Sequence, residues 1–182
     1  LTQSPQKSDD ADRRYSIWFD VFLDSVDIHA RASRANVYGP VLFVFDIKLI
    51  HANQTGRIWL TKLNPTKWAN KSAVERWFQS KADLEENFEY GQFDQMLVLR
   101  HCGGAMPFGS HLKKIVVDDP LLTLKENDVD VHSMAIGALR LAMQDAKINV
   151  PIERRVCRAA CGCREHWGSD DDRVHLMFDP MP

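Results

Sequence analysis

Residues 93–118 read FDQMLVLRHCGGAMPFGSHLKKIVVD. Two short apolar runs, Met96–Leu99 and Ile115–Val117, flank a connector rich in Gly, His and Cys. Apolar runs of this length, bounded by turn formers, are the pattern of strands covered on both faces. A long loop joining two such strands is where a domain commonly carries its chemistry.

Outward from this pair, Val41–Ile50 (VLFVFDIKLI) is the clearest further strand, preceded by the turn signal Gly39-Pro40. Tyr15–Leu23 and Ile58–Leu63 are rich in aromatic and β-branched residues and read as extended too. Ser72 with Glu75 forms a capping box that predicts a helix over Ser72–Ser80, and Asp83 with Glu86 predicts a short second one. A helix over Ser133–Lys147 carries Met134, Ile136, Leu139, Leu141 and Met143 on a wide apolar face and stops before Pro151. Val174–Phe178 is expected as an edge strand. Strands dominate the first two thirds with helices inserted among them. The expected class is therefore α+β, a mixed, mainly antiparallel sheet core with inserted helices. Residues 1–14 contain no aromatic residue and read as a flexible lead. Residues 15–150 are expected as a single α+β domain, and 151–182 as a Cys-rich appendage packed on it.

The chain has 182 residues and a formal net charge of -2, so nothing in the overall charge attracts nucleic acid or an anionic membrane. No apolar run approaches the roughly 18 residues that span a bilayer, and the N-terminus is polar rather than signal-like. No membrane partner is expected, and the expected location is the cytoplasm, or the cytoplasm of a cell into which the protein is delivered. The chain begins with Leu, from which a processed protein or a piece of a longer one is expected.

Three of the four cysteines fall within seven residues, as Cys157-x3-Cys161-x-Cys163, with His166 just beyond. Three thiolates and an imidazole suit tetrahedral Zn2+. A disulfide within the trio, or to Cys102, is the alternative. A second group, His29, Arg31, Ser33, Arg34, Asn36 and Tyr38, joins two apolar stretches and so belongs at a rim. Paired arginines there can clamp a pyrophosphate, or else balance Asp20, Asp24 and Asp27 as a solvated loop. A third group, His101, Cys102 and His111, offers a Cys–His pair without an identifiable orienting residue. Walker, GxGxxG, HExxH and GxSxG signatures are absent.

The order of these pieces resembles the ADP-ribosyltransferase superfamily, and within it the DarT-type toxins that modify DNA. The likeness runs from Ile17 to Val117. It matches WFDVFLDSVDIHARA to an NAD-binding segment and VLFVFDIKLI to the next strand. Beyond the insertion Pro65–Gly91, QMLV at Gln95–Val98 and then KKIVV take the places of two later strands. The resemblance implies an ADP-ribosyltransferase-like fold that takes NAD as substrate and transfers ADP-ribose to a macromolecule, nucleic acid or protein, as a bacterial toxin or effector module. A cognate immunity or antitoxin protein would be its partner. Arg31 and Arg34 would contact the phosphates, Tyr38 would edge the nicotinamide site, and His29 and Gln95 would stand at the catalytic place. The family has a glutamate where this chain has Gln95. An amide keeps the hydrogen bond to ribose but not the charge that offsets an oxocarbenium ion, so the resemblance implies an inactive domain, or Asp94 or Glu89 in that role. Two other readings stand beside it. One is a nuclease-type toxin acting on RNA or DNA through His29, His101 or His111, with Lys113 and Lys114 facing phosphate. The other is a non-enzymatic interaction domain with a zinc or disulfide staple. Calorimetric titration with NAD is expected to give binding. Silence from both the natural chain and a Gln95→Glu variant would remove the NAD reading.

Overall fold

The computed structural model describes residues 14–17, 20–27, 29, 39–52, 57–102, 108–158 and 161–179. In chain order these form β1 (Val21–Leu23), β2 (Val41–Phe45), α1 (Leu49–Ala52), β3 (Arg57–Leu60), α2 (Ala73–Arg76), α3 (Lys81–Asn87) and β4 (Leu97–Arg100). There follow β5 (Leu112–Asp119), α4 (Val131–Asp145), β6 (Ile152–Val156), α5 (Gly162–Gly168) and α6 (Asp171–Phe178). The elements fall into two units, one of residues 29–47 and 108–182, the other of residues 2–28 and 48–107. The fold is mixed α and β with two small, mostly antiparallel sheets, in keeping with the class expected from the sequence.

In the unit of residues 29–47 and 108–182, the sheet runs β2-β5-β6. β2 pairs antiparallel to β5, with Val41 opposite Val117, and β6 pairs parallel to β5, with Ile115 opposite Ile152. A parallel neighbour needs a crossover, and α4 supplies it. Asp130 caps that helix by accepting from the Ser133 amide at 2.7 Å. Leu139 and Met143, one turn apart, seal α4 against Leu112, Ile115 and Val117. Leu141, expected on the same face, is 65% exposed, because two residues along a helix turn a side chain almost to the opposite side. A second apolar cluster joins Leu124, Val131, Cys157, Cys163, Trp167, Val174 and Phe178.

Several boundaries differ from the sequence-based expectations. Val41–Ile50 is strand only as far as Phe45: the ladder bulges between Val44 and Phe45, Asp46 N donates to His111 O, and Leu49 begins α1. Of Tyr15–Leu23, only Val21–Leu23 is strand among the described residues. Val174–Phe178 is the end of a helix rather than an edge strand. Asp170 accepts from the Asp172 amide, and Asp171 and Asp172 fill a first turn where the helix dipole favours negative charge. β6, sequence IERRV, was not expected, since its arginines mask the period of two.

The other unit holds a sheet of order β1-β4-β3, all antiparallel. The capping box at Ser72 and Glu75 is present, and its bonds draw the Glu75 carboxyl down to about 2. The helix it starts is one turn long, because Trp77 leaves it extended, bridges to Thr61 and is buried with Trp68, Val98 and Ile17. Ser80 then caps α3.

Arg100, at the end of β4, ties this unit together. Its Nε lies 2.7 Å from Asp20 Oδ2 with both side chains buried, and Nη2 donates to Ser16 O at 2.5 Å. The guanidinium sits 4.8 Å from the Trp59 ring and 5.1 Å from that of Trp77, where two indole faces stabilise its charge. Removing one member of such a pair leaves a buried charge uncompensated. Arg100→Ala is therefore expected to cost roughly 3–5 kcal/mol in denaturant unfolding. A loss below about 1 kcal/mol, the level of an exposed pair, would contradict this assignment.

Candidate metal centre

Successive residues of a strand face opposite sides of its sheet. Ile115 and Val117 of β5 face α4, so Val116 and Asp118 face away from it. Asp118 is fully buried. Its Oδ1 accepts from Arg155 Nε at 2.5 Å, on the residue directly opposite in β6, and its Oδ2 lies 3.2 Å from His29 Nδ1. Asp119, on the other face, is equally buried and accepts from Arg154 Nε at 2.6 Å.

The cysteines reach the Asp118 side from the C-terminal segment. Cys161 is the N-cap of α5, and Cys163 lies in that helix's first turn. Cys163 and Trp167, four residues apart, form the buried face of α5, and Trp167 packs edge-on against Phe178 with centroids 5.1 Å apart. That packing sets the rotation of the helix and aims the two thiols at His29. Cys161 Sγ is 3.3 Å from His29 Nε2, and Cys163 Sγ is 3.8 Å from His29 Nδ1. One ligand atom from each of the three residues lies within 4.8 Å of the others. Zn2+ held at about 2.3 Å from sulfur and about 2.0–2.1 Å from nitrogen sets tetrahedral ligand atoms roughly 3.5–3.8 Å apart. The three side chains can hold a metal ion at this spacing.

Asp118 completes the arrangement from outside. A ligating histidine characteristically gives its second ring N–H to a carboxylate, which fixes the tautomer and makes the metal-bound nitrogen a better donor. Nδ1 toward Asp118 and Nε2 toward Cys161 is that arrangement, with Cys163 Sγ on the Nδ1 side of the ring. Cys157, just past β6, is buried beside the group. Burial pushes its thiol well up, and Cys161, Asp118 and Cys163 push in the same direction. No disulfide joins the cysteines. An open hollow of about 640 Å3 runs along α5, lined by Leu122, Cys161, Gly162, Arg164, Glu165 and Gly168 among others.

The sequence-based candidates divide accordingly. Cys161 and Cys163 do come together, but the imidazole beside them is His29, assigned above to catalysis. His166 lies outside the three-residue cluster, and its carbonyl accepts from Ser169 Oγ and Arg173 Nη1. No spacing rule reveals a ligand more than 130 residues away in the chain. Arg31, Arg34 and Tyr38 lie outside the described residues. Asp94 pairs with Lys67 at 2.7 Å, and Glu89 accepts from Gln92 at 2.6 Å. Lys113 and Lys114 pair with Asp46 and Glu153. His101 sits on the Asp20 carboxylate, with a backbone φ of 52° that places it in the left-handed region.

Gln95 stands two residues ahead of β4 with both ends of its amide engaged. Oε1 accepts from Glu89 N at 2.7 Å, and Nε2 donates to Asn87 O at 3.0 Å, pinning the chain where α3 ends. A carboxylate keeps the first bond and turns the second into a repulsion between oxygens. Compared with protein-family models, curated proteins and solved structures, the chain finds no match. Gln95→Glu is expected to cost roughly 0.5–1.5 kcal/mol in urea unfolding. An unchanged midpoint would mean that the amide does not hold this turn.

Proposed function

We propose that the chain is a zinc-binding protein whose metal centre, held by His29, Cys161 and Cys163, staples the unit of residues 29–47 and 108–182. One observation carries the reading. Two soft thiols and an imidazole, more than 130 residues apart in sequence, converge within 4.8 Å over a buried carboxylate positioned to orient that imidazole. Zn2+ is the favoured ion because a Cys2His donor set suits it and a hard cation would seek oxygen ligands. Binding replaces the thiol protons, which leave to water, and draws the segment at residue 29 onto α5.

Elemental analysis of protein purified without added chelator is expected to give one zinc per chain. At a hundredfold excess of free Zn2+ over Kd, the bound ion stabilises by roughly 2.7 kcal/mol. That corresponds to a Tm roughly 5–10 °C above the chelated protein. His29→Ala should abolish the metal content and the Tm difference, while His166→Ala should retain both. Metal-free protein with a zinc-independent Tm would overturn the proposal.

A second proposal, ADP-ribosyl transfer from NAD, draws on the order of segments and on the position of Gln95 two residues ahead of β4, as the resemblance implies. The engagement of that amide with the backbone weighs against it, and the NAD titration above decides it. Among the described residues, no helix is long and apolar enough to cross a membrane.

A further inference from the structure

We propose that Cys157 is the fourth ligand of this centre, closing it as a Cys3His site with no coordination position left for substrate or a catalytic water. The inference rests on the zinc reading and goes beyond it, since three protein ligands alone would leave the metal open, as catalytic zinc sites are.

Backbone geometry points the thiol inward. Cys157 N donates to Asp119 O at 2.8 Å, which carries the β5–β6 ladder one residue past the end of β6. Side chains alternate along that extension, so Cys157 shares the face of Arg155, and Arg155 is bonded to Asp118 on the His29 side. The side chain is 3% exposed and packs in the same apolar cluster as Cys163 and Trp167, with Cys161 against it. Its thiol adjoins that of Cys161 and stands outside the three-residue group. Three thiolates and a neutral imidazole around Zn2+ would carry one net negative charge, two units less than the three thiolates alone. The hollow along α5 reaches Cys161 but is not lined by Cys157 or His29, so the side of the centre it opens on is sulfur rather than an empty metal position.

Cobalt substitution in the full chain reads the ligand set directly, because each thiolate bound to Co2+ adds to the near-ultraviolet charge-transfer absorption. The natural chain is expected to bind one Co2+ with a three-thiolate spectrum. Cys157→Ser should keep the stoichiometry and lose about one third of that absorption, whereas His166→Ala should leave it intact. X-ray absorption at the zinc edge of the natural chain is the second measurement and needs no variant. Three sulfurs and one nitrogen are expected, at about 2.3 Å and about 2.0–2.1 Å. A Cys157→Ser spectrum equal to that of the natural chain, or two sulfurs with two lighter atoms at the edge, would overturn the fourth ligand and leave the zinc reading standing. A natural chain that takes up neither Co2+ nor Zn2+ would overturn both.

Discussion

Two carboxylates at consecutive positions of a central strand are the constraint on which the unit of residues 29–47 and 108–182 depends. Asp118 and Asp119 are both fully buried, and alternation sends them to opposite faces of β5. Neither can stay ionised in the interior without a cation of its own. β6 supplies two arginines with the same alternation, Arg155 for Asp118 and Arg154 for Asp119. A one-residue slip of β6 would exchange the arginines between the two carboxylates and take Ile152 off the face of Ile115, so the apolar pattern and the charges set the register together. The polar look of IERRV is the reason this strand exists where it does.

The same constraint builds the centre. With Oδ1 of Asp118 held by Arg155, Oδ2 is left to face His29, and the histidine is turned so that its far nitrogen meets Cys161. The rotation of α5 is fixed independently by Trp167 in its apolar slot. Two unrelated packing decisions, one electrostatic and one hydrophobic, therefore meet at the three ligand atoms.

How much of this could be read in the chain depended on distance in sequence. Val41–Phe45, Leu97–Arg100 and Leu112–Asp119 were legible because aliphatic runs between turn formers have few other folded solutions. Ser72 and Glu75 were legible because a capping box is a local device. The final helix hides behind the apolar run Val174–Phe178, which reads as an edge strand, although Asp170 to Asp172 supply a cap and an acidic first turn. At the centre, the clustered cysteines announced themselves, whereas His29 did not. A histidine among polar residues has the same local appearance whether it faces solvent, a substrate or a metal. Proximity along the chain points to His166 instead, and it has little bearing on proximity in the fold.

The pairing of β2 with β5 has a kinetic consequence. These strands lie on either side of residues 48–107, most of the other unit, so joining them first would close a long, disordered loop against chain entropy that rises with its length. If the intervening residues fold beforehand, the same ends are delivered by a short, structured excursion. β6 follows β5 and α4 in the chain, so during synthesis that edge of β5 stays open until β6 arrives. During synthesis this protein thus passes through a stage in which its most buried acidic strand is exposed on one side and dependent on residues not yet made.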